Sequence, residues 1–287
     1  MYTLTVAIPN YNHAKNLETC VNSILSQTLL PSEILIVDDC STDNSADVIS
    51  RLVKKSAIVR GIFLQRNKGV SHARNTALSQ ASGKYITFID ADDIYYSSKK
   101  LENEIALIRK YKEHNNSDIV SYSKIVFLDS NLVFRRSSPS NPKEYLTGNI
   151  HKRLLLSIHS HTIMRDYCVS TELIRKIGGY NEQSSLYEDL ELLYNLSACC
   201  DFYCTFEDGT GHGDSVDGLS KKSKNVLKSK EREILNAYLK THYGFTKRIM
   251  FKICRIICFL AQKISRYAKN LLCLNSKHFN VNKGCRK

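Results

Sequence analysis

Short apolar runs rich in β-branched residues recur along the first 90 positions of the chain. They lie at residues 4–8, 33–37, 61–64 and 85–89, and polar or turn-forming residues flank each run. Such runs are typical of buried strands. Between them, apolar residues at helical spacing predict helices around 17–25, 48–53 and 70–78. The alternation predicts an α/β fold with a Rossmann-like, mostly parallel sheet flanked by helices.

The pattern continues less regularly in the second half of the chain. A helix is predicted over 101–111 and a strand over 118–128, and the polar stretch 137–142 is interpreted as a surface loop. Leu186, Leu190 and Leu193 lie at helical spacing. This spacing places Asp189 in the first turn of a helix.

Basic residues are concentrated at the end of the chain. Residues 221–287 hold 18 Lys and Arg against 2 Asp and Glu, whereas residues 1–220 hold 23 against 26. The net charge of +13 therefore indicates an anionic surface that the tail meets, and not a basic active site. We predict one domain over 1–220 and a basic helical C-terminal extension over 221–287.

The segment 246–270 of this extension reads as a basic amphipathic helix. Its apolar face holds Ile249, Ile253, Ile256, Ile257, Leu260 and Ile264, and its basic face holds Arg248, Lys252, Arg255, Lys263 and Arg266. The charges interrupt the apolar sequence too often for a membrane-spanning helix. We expect it to lie flat on an anionic membrane. The alternative is a helix packed on its own domain or on a partner subunit.

The ten cysteines are scattered, and the chain opens without a basic region followed by a long apolar run. No export signal is therefore visible, and the thiols are expected to stay reduced and to act as small apolar residues. Together with the tail, this predicts a cytoplasmic protein that is peripheral at the inner face of the cell membrane.

Polar clusters follow three of the predicted strands. Asp38 and Asp39 end the second apolar run, and Asp90, Asp92 and Asp93 end the fourth. The stretch 9–12 follows the first run, and the carboxyl ends of parallel strands meet in one crevice. Crowded carboxylates repel one another unless a cation or several donors offset the repulsion. A metal bound to a diphosphate would do so, which makes nucleotide-sugar chemistry the first hypothesis.

Six motifs agree in order and spacing with those of one enzyme family. They are Val6-Ala7-Ile8-Pro9-Asn10-Tyr11-Asn12, Val37-Asp38-Asp39-Cys40-Ser41-Thr42-Asp43, Asn67-Lys68-Gly69-Val70-Ser71-His72-Ala73-Arg74-Asn75, Asp90-Ala91-Asp92-Asp93, Gly178-Gly179-Tyr180 and Glu188-Asp189. Over residues 3–220 the chain resembles the family 2 glycosyltransferases of GT-A fold. The family usually has glycine where Cys40 stands.

The resemblance implies roles for particular residues. Donor binding falls to Pro9, Tyr11, Asp39, Asn67, Gly69, Arg74, Asn75, Asp90 and Ala91, with Tyr11 and Asp39 near the base and Asp90 by the ribose. A Mn²⁺ or Mg²⁺ ion would lie against Asp92, Asp93 and, from the late family segment, His212. The catalytic pair maps onto Asp189 as general base, with Glu188 beside it.

The implied activity is metal-dependent, inverting transfer of a single sugar. The donor would be a nucleotide-diphosphate sugar, most simply a UDP-sugar, and the acceptor a saccharide or lipid-linked saccharide in cell-surface polysaccharide synthesis. The chain has no tryptophan, so the Gln-x-x-Arg-Trp signature of processive members is absent. Single transfer is therefore favoured over polymerisation.

Two other functions remain open. One is a nucleotide-sugar-binding protein that kept the fold and lost the reaction. The other is a nucleic-acid-binding protein with a basic tail, but the chain has no recognisable reading module, and we expect no nucleic acid as partner.

Structural interpretations of the site residues also remain open. Carboxylates that follow a strand can cap the next helix, an alternative that applies to Asp90, Asp92 and Asp93. The helix dipole favours an acidic residue such as Asp189 in a first turn. Asp38 and Asp39 could belong to a solvated turn, and Tyr11 and His212 could be ordinary loop residues.

Overall fold

A computed structural model describes residues 2–129, 131–138, 145–156, 166–184, 187–212, 224–258 and 260. Its first sheet has five strands in the order β3-β2-β1-β4-β8. They are β1 Leu4–Asn10, β2 Glu33–Asp38, β3 Val59–Phe63, β4 Tyr85–Phe88 and β8 Val169–Ser170. β1 to β4 are parallel, which confirms the prediction, and β8 adds an antiparallel edge.

Helices cover both faces of this sheet because alternate residues of its strands point to opposite sides. Val6 and Ile8 pack into one apolar cluster with helices α1 (Ala14–Leu25) and α2 (Ser45–Lys55). Ala7 packs into the other cluster, against helix α3 (Val70–Gln80). The three helices lie where the helical spacing predicts them.

A second sheet has four strands in the order β5-β9-β6-β7. They are β5 Ile94–Tyr95, β6 Ile119–Leu128, β7 Phe134–Ser138 and β9 Asp201–His212, and helix α4 (Lys100–Asn115) packs on β6 and β9. The strand predicted at 118–128 is confirmed. The surface-loop prediction for 137–142 is wrong at its start, because Ser137 and Ser138 pair with β6; residues 139–142 lie outside the described part.

Four further helices cover the second half of the chain. They are α5 His151–Leu155, α6 Thr171–Lys176, α7 Glu188–Cys199 and α8 Lys224–His242. Helix α8 packs on α7 and buries Leu235, Tyr238 and Leu239 in the same cluster that contains Ala7. The described start of the predicted extension is thus joined to the core, and a boundary at residue 220 stays a prediction.

A last helix, α9, covers 245–258. It buries Phe251 in the cluster that contains Ala7, and Arg255 is half-buried near Tyr194 and Glu231. Its opposite side carries exposed apolar side chains, namely Phe245, Ile249, Met250, Ile253, Ile256 and Ile257, and Leu260 follows them. Ile264, Lys263 and Arg266 lie outside the described residues. Among the helices of the described ranges, none is long and apolar enough to cross a bilayer.

Candidate active site

The loops after β1 and β2 are tied together by Asp38. Its Oδ1 accepts hydrogen bonds from Asn10 Nδ2 at 2.7 Å and Ser41 Oγ at 2.6 Å. Asn12 and Cys40 adopt left-handed backbone, with φ of 60° and 61°, which costs a side chain about 1–2 kcal/mol. The glycine usual at position 40 would avoid that cost. Asp38 therefore shapes the loop, and its oxygen is directed at protein donors.

Asp39 joins this loop to the start of α3. It is 3% exposed, and its two carboxylate oxygens accept hydrogen bonds from Lys68 N at 2.9 Å and Gly69 N at 2.7 Å. Gly69 has φ +90°, which a residue with a side chain rarely adopts. The predicted donor residues Asn67 and Gly69 thus lie beside Asp39.

Two other predicted donor residues lie at the end of β1. Pro9 is buried in the strand and pairs with Val37 of β2. Tyr11 follows β1 and is 44% exposed. Its ring is therefore accessible at the carboxyl end of β1, and its role in base stacking stays a prediction.

Three carboxylates gather after β4, as the sequence predicts. Oxygen atoms of Asp90, Asp92 and Asp93 all lie within 4.8 Å of one another, around the buried Ala91. His212 Nδ1 lies 2.8 Å from Asp93 Oδ2. His212 is the last residue of β9 and not part of a Gly-rich loop. Carboxylate oxygens with an imidazole beside them suit Mn²⁺ or Mg²⁺, so these residues fit the implied metal.

The charge of this cluster affects the pKa of the buried thiol of Cys20. Burial raises the pKa of Cys20, and the negative charges of Asp93, Asp90 and Asp92 raise it further. Cys20 Sγ also lies 3.6 Å from the Asp90 carbonyl oxygen. The carboxylates therefore create a negative field that favours a cation.

Arg74 lies behind the cluster with its side chain 1% exposed. Its Nη2 donates to Asp90 Oδ1 at 2.9 Å, and its Nη1 donates to Glu188 Oε1 at 2.6 Å. The guanidinium carbon lies 5.3 Å from the centre of the Tyr180 ring. Arg74 therefore contacts one carboxylate after β4 and one at the start of α7.

Asn75 of α3 forms hydrogen bonds with the segment that precedes α7. Its Nδ2 donates to the Tyr180 carbonyl and its Oδ1 accepts from Tyr180 N, both at 2.8 Å. A Cβ on Gly179, which has φ +68°, would lie 2.6 Å from Asn75 Oδ1. The Gly-Gly-Tyr motif thus allows a close approach to α3. Sequence reasoning missed the part played by Tyr180. Glu182 makes exposed contacts with His72 and Asn75.

Asp189 lies in the first turn of α7, as predicted. It is partly buried, and its Oδ1 accepts from Leu190 N at 2.9 Å. Glu188, one residue earlier, is 8% exposed and ion-paired with Arg74. Glu188 is therefore connected to Asp90 of the aspartate cluster through Arg74, and Asp189 follows it in the chain.

Several solved structures share this architecture. S. aureus TarS 1–349 in complex with UDP is 20% identical with a TM-score of 0.60, over 88% of this chain and 75% of that one. The mannosyltransferase PcManGT from Pyrobaculum calidifontis, in complex with GDP-Man and Mn²⁺, is 16% identical with a TM-score of 0.57, over 85% of this chain and 65% of that one. These similarities establish the GT-A fold.

Sequence relatives carry transferase names. A cholesterol galactosyltransferase of Borreliella burgdorferi is 29% identical over 282 residues, covering 89% of this chain and 76% of its own. The putative teichuronic acid biosynthesis glycosyltransferase TuaG of Bacillus subtilis is 37% identical over 102 residues, and the match covers only 40% of TuaG. The model of Glycosyl transferase family 2 matches residues 5–173. The chain belongs to this family and is a glycosyltransferase.

Proposed function

We propose that the protein transfers one sugar from a nucleotide-diphosphate sugar to an acceptor hydroxyl with inversion at the anomeric carbon. The observation that carries this proposal is Arg74, which contacts both Asp90 and Glu188 and so brings the carboxylates after β4 beside the first turn of α7. A donor site and an acceptor base need such proximity, because displacement requires the two substrates to be in contact.

The chain's own residues have separable tasks in this reaction. Tyr11 would stack on the base, and Asp39 would hold the loop that lines the base pocket. Asp92, Asp93 and His212 would hold a divalent cation, which when bound neutralises charge on the departing diphosphate.

Asp189 acts at the acceptor. Its carboxylate takes the proton of the acceptor hydroxyl as that oxygen attacks the anomeric carbon. The new glycosidic bond forms while the bond from that carbon to the phosphate oxygen breaks, and the nucleoside diphosphate leaves with the electron pair.

The named relatives support a narrower assignment of substrates. Two TarS structures contain UDP and UDP-GlcNAc respectively, and TuaG is named for teichuronic acid synthesis. The name of the Borreliella relative supports sugar transfer but points to a sterol acceptor, so the acceptor proposed here rests on the TuaG name. We therefore propose a UDP-sugar as donor and a saccharide, free or lipid-linked, as acceptor in the synthesis of a cell-surface glycan.

A donor screen tests this proposal. Purified protein is incubated with UDP- and GDP-sugars with and without Mn²⁺, and thermal unfolding and donor hydrolysis are measured. A UDP-sugar at 100 times its dissociation constant should add about 2.7 kcal/mol to the free energy of unfolding. Absence of both binding and hydrolysis across the panel would refute the proposal.

We also propose that α9 places the enzyme on an anionic membrane. Its outward side is apolar over Ile253, Ile256 and Ile257, which are 52%, 60% and 58% exposed. The exposed Lys247 and Lys252 lie on the same helix, and the chain beyond residue 260 adds seven further Lys and Arg. An exposed apolar helix face with basic residues beside it fits the interface of an anionic bilayer.

Charge substitutions on α9 test the membrane role. The double variant Ile256→Glu/Ile257→Glu should lower partitioning to phosphatidylglycerol vesicles at least about tenfold, because two exposed apolar side chains no longer insert. The matched control is Leu30→Glu/Val53→Glu, which places the same charges on exposed sites elsewhere. Vesicle sedimentation measures the difference, and equal loss or equal retention in both doubles would exclude α9 as the docking face.

A further inference from the structure

We propose that Arg74 and Glu188 are positioning residues that hold the first turn of α7, and with it Asp189, at a fixed place beside the aspartate cluster. The inference deepens the proposed function, because it rests on Asp189 as the acceptor base. It assigns Glu188 a task that differs from acid–base chemistry.

Two nitrogen atoms of one guanidinium connect the start of α7 to the aspartate cluster. Nη1 of Arg74 contacts Glu188 and Nη2 contacts Asp90, although residues 74 and 188 are 114 positions apart. The side chains of Arg74 and Glu188 are 1% and 11% exposed, so water cannot readily replace either partner. A guanidinium is planar and its donors have fixed directions. Movement of α7 relative to Asp90 would therefore break a buried ion pair.

Helix α3, which carries Arg74, is itself held in place by other hydrogen bonds. At its start, Asp39 holds Lys68 N and Gly69 N. One residue after Arg74, Asn75 makes two hydrogen bonds to the backbone of Tyr180. Helix α3 is thus anchored on the donor side and also holds the segment that leads into α7.

The two acidic residues of α7 differ in what surrounds them. Glu188 is buried and directs Oε1 at Arg74. Asp189 follows it, about 100° further round the helix, and is less buried. Glu188 therefore faces the protein, while Asp189 is the better placed of the two to meet an acceptor.

Four variants test the division of roles: Glu188→Gln, Arg74→Lys, their combination, and Glu182→Gln as control. The control removes a carboxylate that also contacts α3 but whose side chain is 46% exposed.

In Glu188→Gln we expect kcat to fall about 10- to 100-fold through misplacement of Asp189, with donor KM and Mn²⁺ affinity nearly unchanged. The pH profile of kcat should keep its acid-side limb, on which kcat falls as the general base becomes protonated. The combination should lose no more than Arg74→Lys alone, since that substitution already alters the contact with Glu188.

A second measurement does not depend on turnover. Hydrogen exchange of the donor-free protein should be faster over residues 187–199 in Glu188→Gln and Arg74→Lys, and unchanged there in Glu182→Gln. Wild-type exchange and kcat in both single variants would overturn the inference. Loss of turnover together with loss of the acid-side limb in Glu188→Gln would make Glu188 itself the base. If the wild type transfers no sugar at all, the proposed function fails, and exchange still decides whether the pair fixes α7.

Discussion

The variant Asp189→Asn should turn over about 10²- to 10⁴-fold more slowly than the wild type while it binds the donor with nearly unchanged affinity. Asparagine keeps the shape of the side chain and removes the carboxylate that accepts the acceptor's proton. The donor contacts proposed here lie on Tyr11, Asp39 and the aspartate cluster, and the substitution leaves them in place. Initial rates with saturating donor and acceptor measure kcat, and calorimetry measures donor affinity.

Glu191→Gln is the matched control for this prediction. Glu191 lies in the same first turn of α7 and contacts Asn181 Nδ2 at 2.9 Å. Its substitution removes the same charge from the helix start, an effect worth about 0.3–1 kcal/mol of stability. Equal losses of kcat in both variants would mean that the charge of the helix start matters and that Asp189 is not the base.

Loss of Mn²⁺ binding is the second large effect that we expect. In Asp92→Asn, and separately in Asp93→Asn, the ion should bind at least about tenfold more weakly, because a neutral amide replaces a charged oxygen ligand. Electron paramagnetic resonance of free Mn²⁺ gives the affinity directly. Turnover should fall in parallel, and a chelator should have the same effect on the wild type.

The control for the metal site is Asp47→Asn, an exposed acid in the first turn of α2. It should leave Mn²⁺ affinity unchanged. Wild-type affinity in Asp92→Asn and Asp93→Asn would show that Asp92 and Asp93 are not metal ligands.

The first half of the fold could be predicted from apolar pattern because β1, β2 and β4 are buried on both faces. Their continuous apolar runs are bounded by loop residues, and the helices between them have clear spacing. Strand β9 was missed, since its buried Phe202 and Cys204 alternate with polar positions for only part of its length. The alternative of His212 as an ordinary loop residue therefore stays open in the sequence, although His212 ends a strand.

The members of the candidate site could be named from motifs, but their contacts could not. Asp90, Asp92 and Asp93 are adjacent in the chain, so their proximity follows from the sequence. The contact of Arg74 with Glu188 depends on how α3 and α7 are packed, and no local pattern carries that information. The assignment of Arg74 to donor binding stays a prediction, and the structure adds that its guanidinium lies between the carboxylates of Asp90 and Glu188.

The packing of α8 and α9 limits how the basic end of the chain can be studied by truncation. A protein cut after residue 220 would lose Leu235, Tyr238 and Leu239, and one cut after residue 245 would still lose Phe251. Either deletion would expose the apolar surface against which these side chains pack, and exposed apolar surface promotes aggregation. Weak activity or altered vesicle sedimentation of a shortened protein would then report a damaged core, so only changes confined to the outward side of α9 can separate membrane attachment from folding.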